Sequence, residues 1–149
     1  MRWFNRWLSL APSQRLLVIE AAFILVVVRA GLRLISFREM NRMARYFSRP
    51  NLLFKGTDKQ APEQVIWAVD RVGLALLGQN SCLAMALAGQ ILLGRRGIQS
   101  RLRIGVKKTE DGSLLAHAWL EGEHGILLGG ASSDLQRYVA LPDLETAGE

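Results

Sequence analysis

The chain of 149 residues holds one cysteine, Cys82, and two histidines, His117 and His124. Cys82 opens a helix-like stretch, Ser81-Cys82-Leu83-Ala84-Met85-Ala86-Leu87-Ala88, and His117 lies in an alternating, strand-like stretch, Leu115-Ala116-His117-Ala118-Trp119-Leu120-Glu121. A thiol attacks a carbonyl only as thiolate, and the positive end of a helix dipole favours that form. An imidazole beside it would take the thiol proton and later give one to the leaving amine. Those residue types define cysteine-dependent peptide hydrolysis or acyl transfer. The start of the same helix offers backbone N–H groups, that of Cys82 among them, for an oxyanion, and Gln79 just upstream can add a side-chain donor. A plainer reading stands beside this one: an unpaired cysteine often packs as a small hydrophobe, and a lone strand histidine is commonly a hydrogen-bonded structural residue.

The elements that must position this pair follow from periodicity and turn chemistry. Residues 14–34 read as a long apolar-rich helix behind Ala11-Pro12-Ser13, with Ser13 as the expected cap. A second helix is predicted over 37–47, with Met40, Met43, Ala44 and Phe47 at helical spacing. Pro50, Gly56 and the polar residues of 51–61 read as a connection. Pro62 starts a third helix, since its missing N–H is harmless in a first turn, and Gly78 ends it. Ser81 or Asn80 is expected to cap the Cys82 helix. That helix should run to about Leu93 and leave through Gly94-Arg95-Arg96-Gly97, where cations suit the dipole and glycine suits the exit.

The period then changes from helical to alternating. Leu102, Ile104 and Val106 mark one strand in 100–106, Glu110-Asp111-Gly112 a turn, 113–121 a second strand and 126–128 a third. Helices followed by an antiparallel meander predict an α+β domain. The expected organisation is a helical N-terminal region with its connection over 1–61, a catalytic core over 62–144 and a disordered tail over 145–149.

Composition narrows the partners. Net charge is +6, with a pI near 10.2, which favours acidic partners. Arg38, Arg42 and Arg45 fall largely off the apolar face of the second helix. They read either as a solvated basic face or as a substrate- or partner-binding face. No RNA-binding signature or zinc-finger spacing is present, so nucleic acid is not an expected partner. A single cysteine excludes an internal disulfide, and with two histidines it makes a thiolate-rich zinc site improbable, so no metal is expected. The apolar run 16–28 contains Glu20 and falls short of the ~20 residues that span a bilayer. It reads as a buried or partner-facing helix, with membrane-surface association as the alternative.

Read together, Asn80-Ser81-Cys82-Leu83, Ala86-Leu87-Ala88, Leu92-Leu93, Arg95-Arg96-Gly97-Ile98, Leu102-Arg103-Ile104-Gly105-Val106 and Ala116-His117-Ala118-Trp119-Leu120-Glu121 resemble the transglutaminase-like leader peptidases of bacterial lasso-peptide biosynthesis. The likeness covers about residues 80–141, and residues 10–49 are similar to the front of the standalone form. It implies a papain-like, transglutaminase-like fold. It also implies removal of the leader from a ribosomally made precursor peptide, which frees the core N-terminus for macrolactam formation by an ATP-dependent lasso cyclase. A separate leader-recognition protein would present the substrate. ATP would belong to the cyclase, no cofactor would sit at the catalytic site, and the protein would be cytoplasmic or peripheral at the inner membrane face.

By that resemblance Cys82 is the nucleophile and His117 the general base and acid. The third member is where the chain departs from the pattern. The family offers a carboxylate on the strand after the histidine. Here a hairpin puts Gly129 or Gly130 opposite His117, and neither side chain can orient a ring. Asp134 is the first choice for the third residue and Glu121 the second, although Glu121 lies about 13 Å along the strand. A backbone carbonyl or a water can also hold the ring. His124 reads as solvent-exposed in a turn, Trp119 as core packing or a shield for the site, and Gly105 as a close backbone approach or a bulge. Two other functions remain open: an amidase or acyl transferase on the same scaffold, and a non-catalytic peptide-binding scaffold.

Overall fold

A computed structural model describes residues 10–50, 62–78, 81–130 and 132–142. Its elements are α1 (Pro12–Leu34), α2 (Phe37–Phe47), α3 (Pro62–Leu77), α4 (Cys82–Arg95), β1 (Arg101–Lys108), β2 (Leu114–Gly122), β3 (Gly125–Leu128), the single turn α5 (Ser132–Leu135) and β4 (Val139–Ala140). Helices precede an antiparallel sheet of order β3-β2-β1-β4. This is the α+β arrangement expected from the change of period. The 51–61 connection, Gln79, Asn80 and the 145–149 tail lie outside the described residues.

The centre of the molecule is α4. Every residue from Ala84 to Leu93 is buried, because the helix has neighbours on all sides. Helices α1, α2 and α3 pack against it, and so does β2. The sequence allows this through small residues at the contacts. A methyl group on Gly89 would lie 2.9 Å from Leu120 Cδ1, and one on Gly73 would lie 2.7 Å from the Met85 side chain. Leu17, Ala21, Leu25 and Val28 of α1 join Val65, Ala68 and Val69 of α3, Leu87 and Leu92 of α4, and Ala118 and Leu120 of β2 in one core. The expected N-terminal helical region thus shares its interior with the expected catalytic core.

The helix ends show which local signals the chain uses. The cap of α2 is reciprocal: Glu39 N–H donates to Ser36 Oγ (3.3 Å) and Ser36 N–H donates to Glu39 Oε2 (3.1 Å). The Ser36 hydroxyl, which donates to Glu39 Oε2 (2.9 Å), and after it the Ser36 N–H hold the Glu39 carboxyl below its usual range. Ser13 does not cap α1. Pro12 takes the first turn, and Ala11 N–H donates to Gln14 Oε1 (3.1 Å) instead. Gly78 leaves α3 with φ +70 and Gly97 leaves α4 with φ +76, as their positions anticipate. At the end of α4, Arg96 donates to the Leu92 carbonyl (3.0 Å) and to Glu20 Oε2 (2.8 Å). That ion pair ties α1 to the C-terminus of α4.

Among the described residues, Gln90 of α4 carries a buried core oxygen, Oε1, without a hydrogen-bond partner. Gln90→Met keeps a similar volume and removes that penalty. Thermal unfolding should show a gain of about 1 kcal/mol, which is roughly 2–4 °C for a chain of this size. A lower melting temperature would mean that the amide is satisfied.

Candidate active site

Strand β2 divides its side chains between two faces. Ala118 and Leu120 point into the helical core, and Leu120 is the residue that meets Gly89 of α4. His117, Trp119 and Glu121 alternate with them and occupy the opposite face. The register pairs Gly105 with His117 and Arg103 with Trp119, so β1 contributes to the same face.

The His117 ring is fixed by a backbone group. Its Nε2 lies 2.5 Å from the Gly129 carbonyl oxygen. A carbonyl only accepts, so Nε2 carries the proton in that bond and Nδ1 is the acceptor nitrogen of the neutral ring. Gly129 reaches this place because it has no side chain. Its φ is +111, and a methyl group there would lie 2.6 Å from Trp119 Cβ and 2.9 Å from Trp119 Cα.

Aromatic groups surround the ring. Tyr138, between α5 and β4, has its ring centre 5.5 Å from that of His117, and Trp119 stacks at 6.4 Å. Trp119 is only 4% exposed, yet it lies outside the helical core cluster. It packs over Gly105, where a methyl group would meet the indole at 2.8 Å. Gly105 therefore marks a close approach, and Trp119 covers the histidine face of the sheet. Sequence reading missed Tyr138, since one aromatic in a short irregular segment carries no periodic signal.

The two expected carboxylates do not hold the ring. Glu121 Oε1 accepts from Trp119 Nε1–H (2.9 Å) and Oε2 pairs with Arg103 (3.4 Å). Glu121 thus anchors the indole, and the strand rise keeps it away from the imidazole. Asp134 sits in α5 with its side chain exposed, and no hydrogen bond joins it to His117. The one-turn helix after Gly129-Gly130 turns it to solvent. His124 is exposed in the β2–β3 turn.

Cys82 is the first residue of α4 and is half-buried against the core. Ser81, one of the two residues expected to cap α4, supplies no side-chain cap, and the other, Asn80, lies outside the described residues. The Ser81 hydroxyl donates back to the Gly78 carbonyl (2.6 Å), satisfying an acceptor left by the end of α3. The start of α4 is therefore not closed by the Ser81 oxygen. Gln79, the candidate oxyanion donor, lies outside the described residues. No hydrogen bond joins Cys82 to His117, and α4 packs on the Leu120 face of the sheet while the imidazole is on the other. Arg38, Arg42 and Arg45 are exposed on α2. The end of α2 packs at the far end of α4, where Ser48 meets Gly94, twelve residues or about 18 Å along the helix from Cys82. No group of three or more His, Cys, Asp or Glu side chains among the described residues could hold a metal ion.

A family model described as the transglutaminase-like superfamily matches residues 24–143, a span that includes Cys82 and His117. The chain belongs to the transglutaminase-like superfamily. Cysteine peptidases and acyltransferases both occur in that superfamily, and cysteine-dependent catalysis is common in it. Comparisons with curated proteins and with solved structures find no match. The superfamily match extends back into α1, in keeping with the core that α1 shares with α3 and α4.

Proposed function

We propose that the protein is a cysteine peptidase that removes the leader from a ribosomally made lasso-peptide precursor. The observation that carries the reading is the placement of the chain's single thiol at the first residue of α4, in a chain of a superfamily rich in cysteine-dependent enzymes. The finer assignment to leader removal rests on the sequence resemblance described above.

In the proposed reaction His117 Nδ1 takes the Cys82 proton, and Sγ attacks the scissile carbonyl carbon. The oxyanion meets the N–H groups at the start of α4. The C–N bond breaks, the imidazolium gives its proton to the leaving amine, and the leader remains on Sγ as a thioester. Water then loses a proton to Nδ1 and attacks the thioester carbon. The C–S bond breaks, and the proton returns to sulfur. The Gly129 carbonyl holds Nε2–H throughout, in the place of a carboxylate. This cycle requires Nδ1 to approach Sγ, a movement from the arrangement described above. The freed core amine is the group that a partner ATP-dependent cyclase would join to an acidic side chain.

Product analysis separates the close alternative, since an acyl transferase leaves a new amide where a peptidase leaves a carboxylate. The separation of Cys82 from His117 favours a second reading, a peptide-binding scaffold without catalysis. Mass spectrometry of the precursor incubated with the protein and the recognition protein decides between them. Wild type should release leader and core, with the recognition protein raising the rate by concentrating the substrate. Equal rates with and without it, at sub-saturating substrate, would remove the partner from the account.

A further inference from the structure

Helix α1 is apolar on two sides. One face carries Leu17, Ala21, Leu25 and Val28 into the core. The other exposes Leu16, Ile19, Phe23, Val26, Val27 and Leu34, with Phe23 at 70% and Leu34 at 83%. At 100° per residue these six fall within an arc of about 100°, and they run for about 27 Å along the axis. A stripe of that kind, left in water on a folded chain, marks an interaction surface. No helix among the described residues is long and apolar enough to cross a membrane.

The charge beside the stripe identifies what covers it. Arg29 and Arg33 lie along one edge, within roughly 40° of each other, and Arg38 and Arg42 continue the basic character onto exposed positions of α2. Residues 12–50 contain seven arginines and two carboxylates. Both carboxylates are engaged: Glu20 pairs with Arg95 and Arg96, and Glu39 closes the cap of α2. The surface therefore presents hydrocarbon and cations. A second copy would offer this face the same hydrocarbon and arginines, with both carboxylates of the region already engaged, so it complements the apolar stripe and not the charge. Acyl carbons beneath anionic phosphates complement both features, and guanidinium groups bind phosphate oxygens bidentately.

We propose that α1 lies in the interface of an anionic lipid bilayer, its exposed stripe among the acyl chains and Arg29 and Arg33 at the headgroup phosphates. The reading does not depend on the peptidase assignment.

The test is flotation of the full chain with vesicles of phosphatidylcholine alone or with about one-third phosphatidylglycerol. The protein should float with the anionic vesicles and not with the neutral ones, and salt should weaken the binding. Phe23→Glu with Val27→Glu should abolish flotation while far-UV circular dichroism stays unchanged, since both positions are exposed. Arg29→Gln and Arg33→Gln should each lower binding by about fivefold and give a milder second series if the first pair fails to fold. Absence of a preference for anionic vesicles, or flotation that survives Phe23→Glu with Val27→Glu, would overturn the proposal. So would a concentration-dependent dimer abolished by that pair, which would assign the stripe to a second copy. Loss of recognition-protein binding in the same pair, without vesicle binding by wild type, would assign it to a protein partner.

Discussion

Cys82→Ala should reduce leader cleavage by at least about a thousandfold while the variant still folds and still binds the precursor. The sulfur is the only atom in the chain able to form the proposed thioester, so no neighbouring group replaces it. The side chain is half-buried and unpaired, and alanine keeps the good helix propensity of the first turn. Unfolding should therefore shift by no more than about 1 kcal/mol. Rates come from mass spectrometry of the precursor, and binding from titration with a labelled precursor. Cleavage that persists in a folded Cys82→Ala protein would leave the binding scaffold as the better account.

The second large effect is expected at Gly129. Its φ of +111 is a conformation that L side chains rarely adopt, and a methyl group would press into the Trp119 backbone and the Ala118 carbonyl. Strain and overpacking together place the cost of Gly129→Ala at roughly 2–4 kcal/mol. To relieve the contact the segment must move, and the carbonyl that holds His117 Nε2 moves with it. Denaturant unfolding should show the loss of stability. Nitrogen NMR of the histidine ring should show loss of the single fixed tautomer, an effect that simple destabilisation elsewhere would not produce. Gly130→Ala is the control: nothing lies within 4 Å of a methyl group there, so its own positive φ strains the backbone without crowding Trp119. An unaltered tautomer in a folded Gly129→Ala protein would separate the carbonyl from the ring's orientation.

Much of the fold is legible in the sequence because its local signals agree. Pro62, Gly78 and Gly97 set boundaries close to those observed. Alternation in β1 and β2 separates the core-facing Leu102, Ile104, Ala118 and Leu120 from the histidine face. Where two local solutions compete, the sequence alone does not decide. Ser81 can cap α4 or satisfy Gly78, and the structure uses the second because the end of α3 leaves a carbonyl close by. The same limit applies to the site. Side-chain chemistry ranks Asp134 first and Glu121 second as the third triad residue, and leaves a backbone carbonyl or a water open without pointing to any one residue. The group that meets the imidazole is a main-chain carbonyl, and every residue has one. What selects Gly129 is the absence of a side chain under Trp119, a tertiary condition.

The pairing of thiol and imidazole is the claim on which the peptidase account turns, because α4 and the imidazole lie on different faces of the sheet. The most direct test is single-turnover cleavage of the precursor, with the recognition protein present, by wild type, Cys82→Ala, His117→Ala and the double variant. If the two groups act as a unit, each single variant loses nearly all activity and the double variant loses little more. His117→Ala cleaving at close to the wild-type rate, while Cys82→Ala does not, would contradict the account and assign the proton transfer to another group.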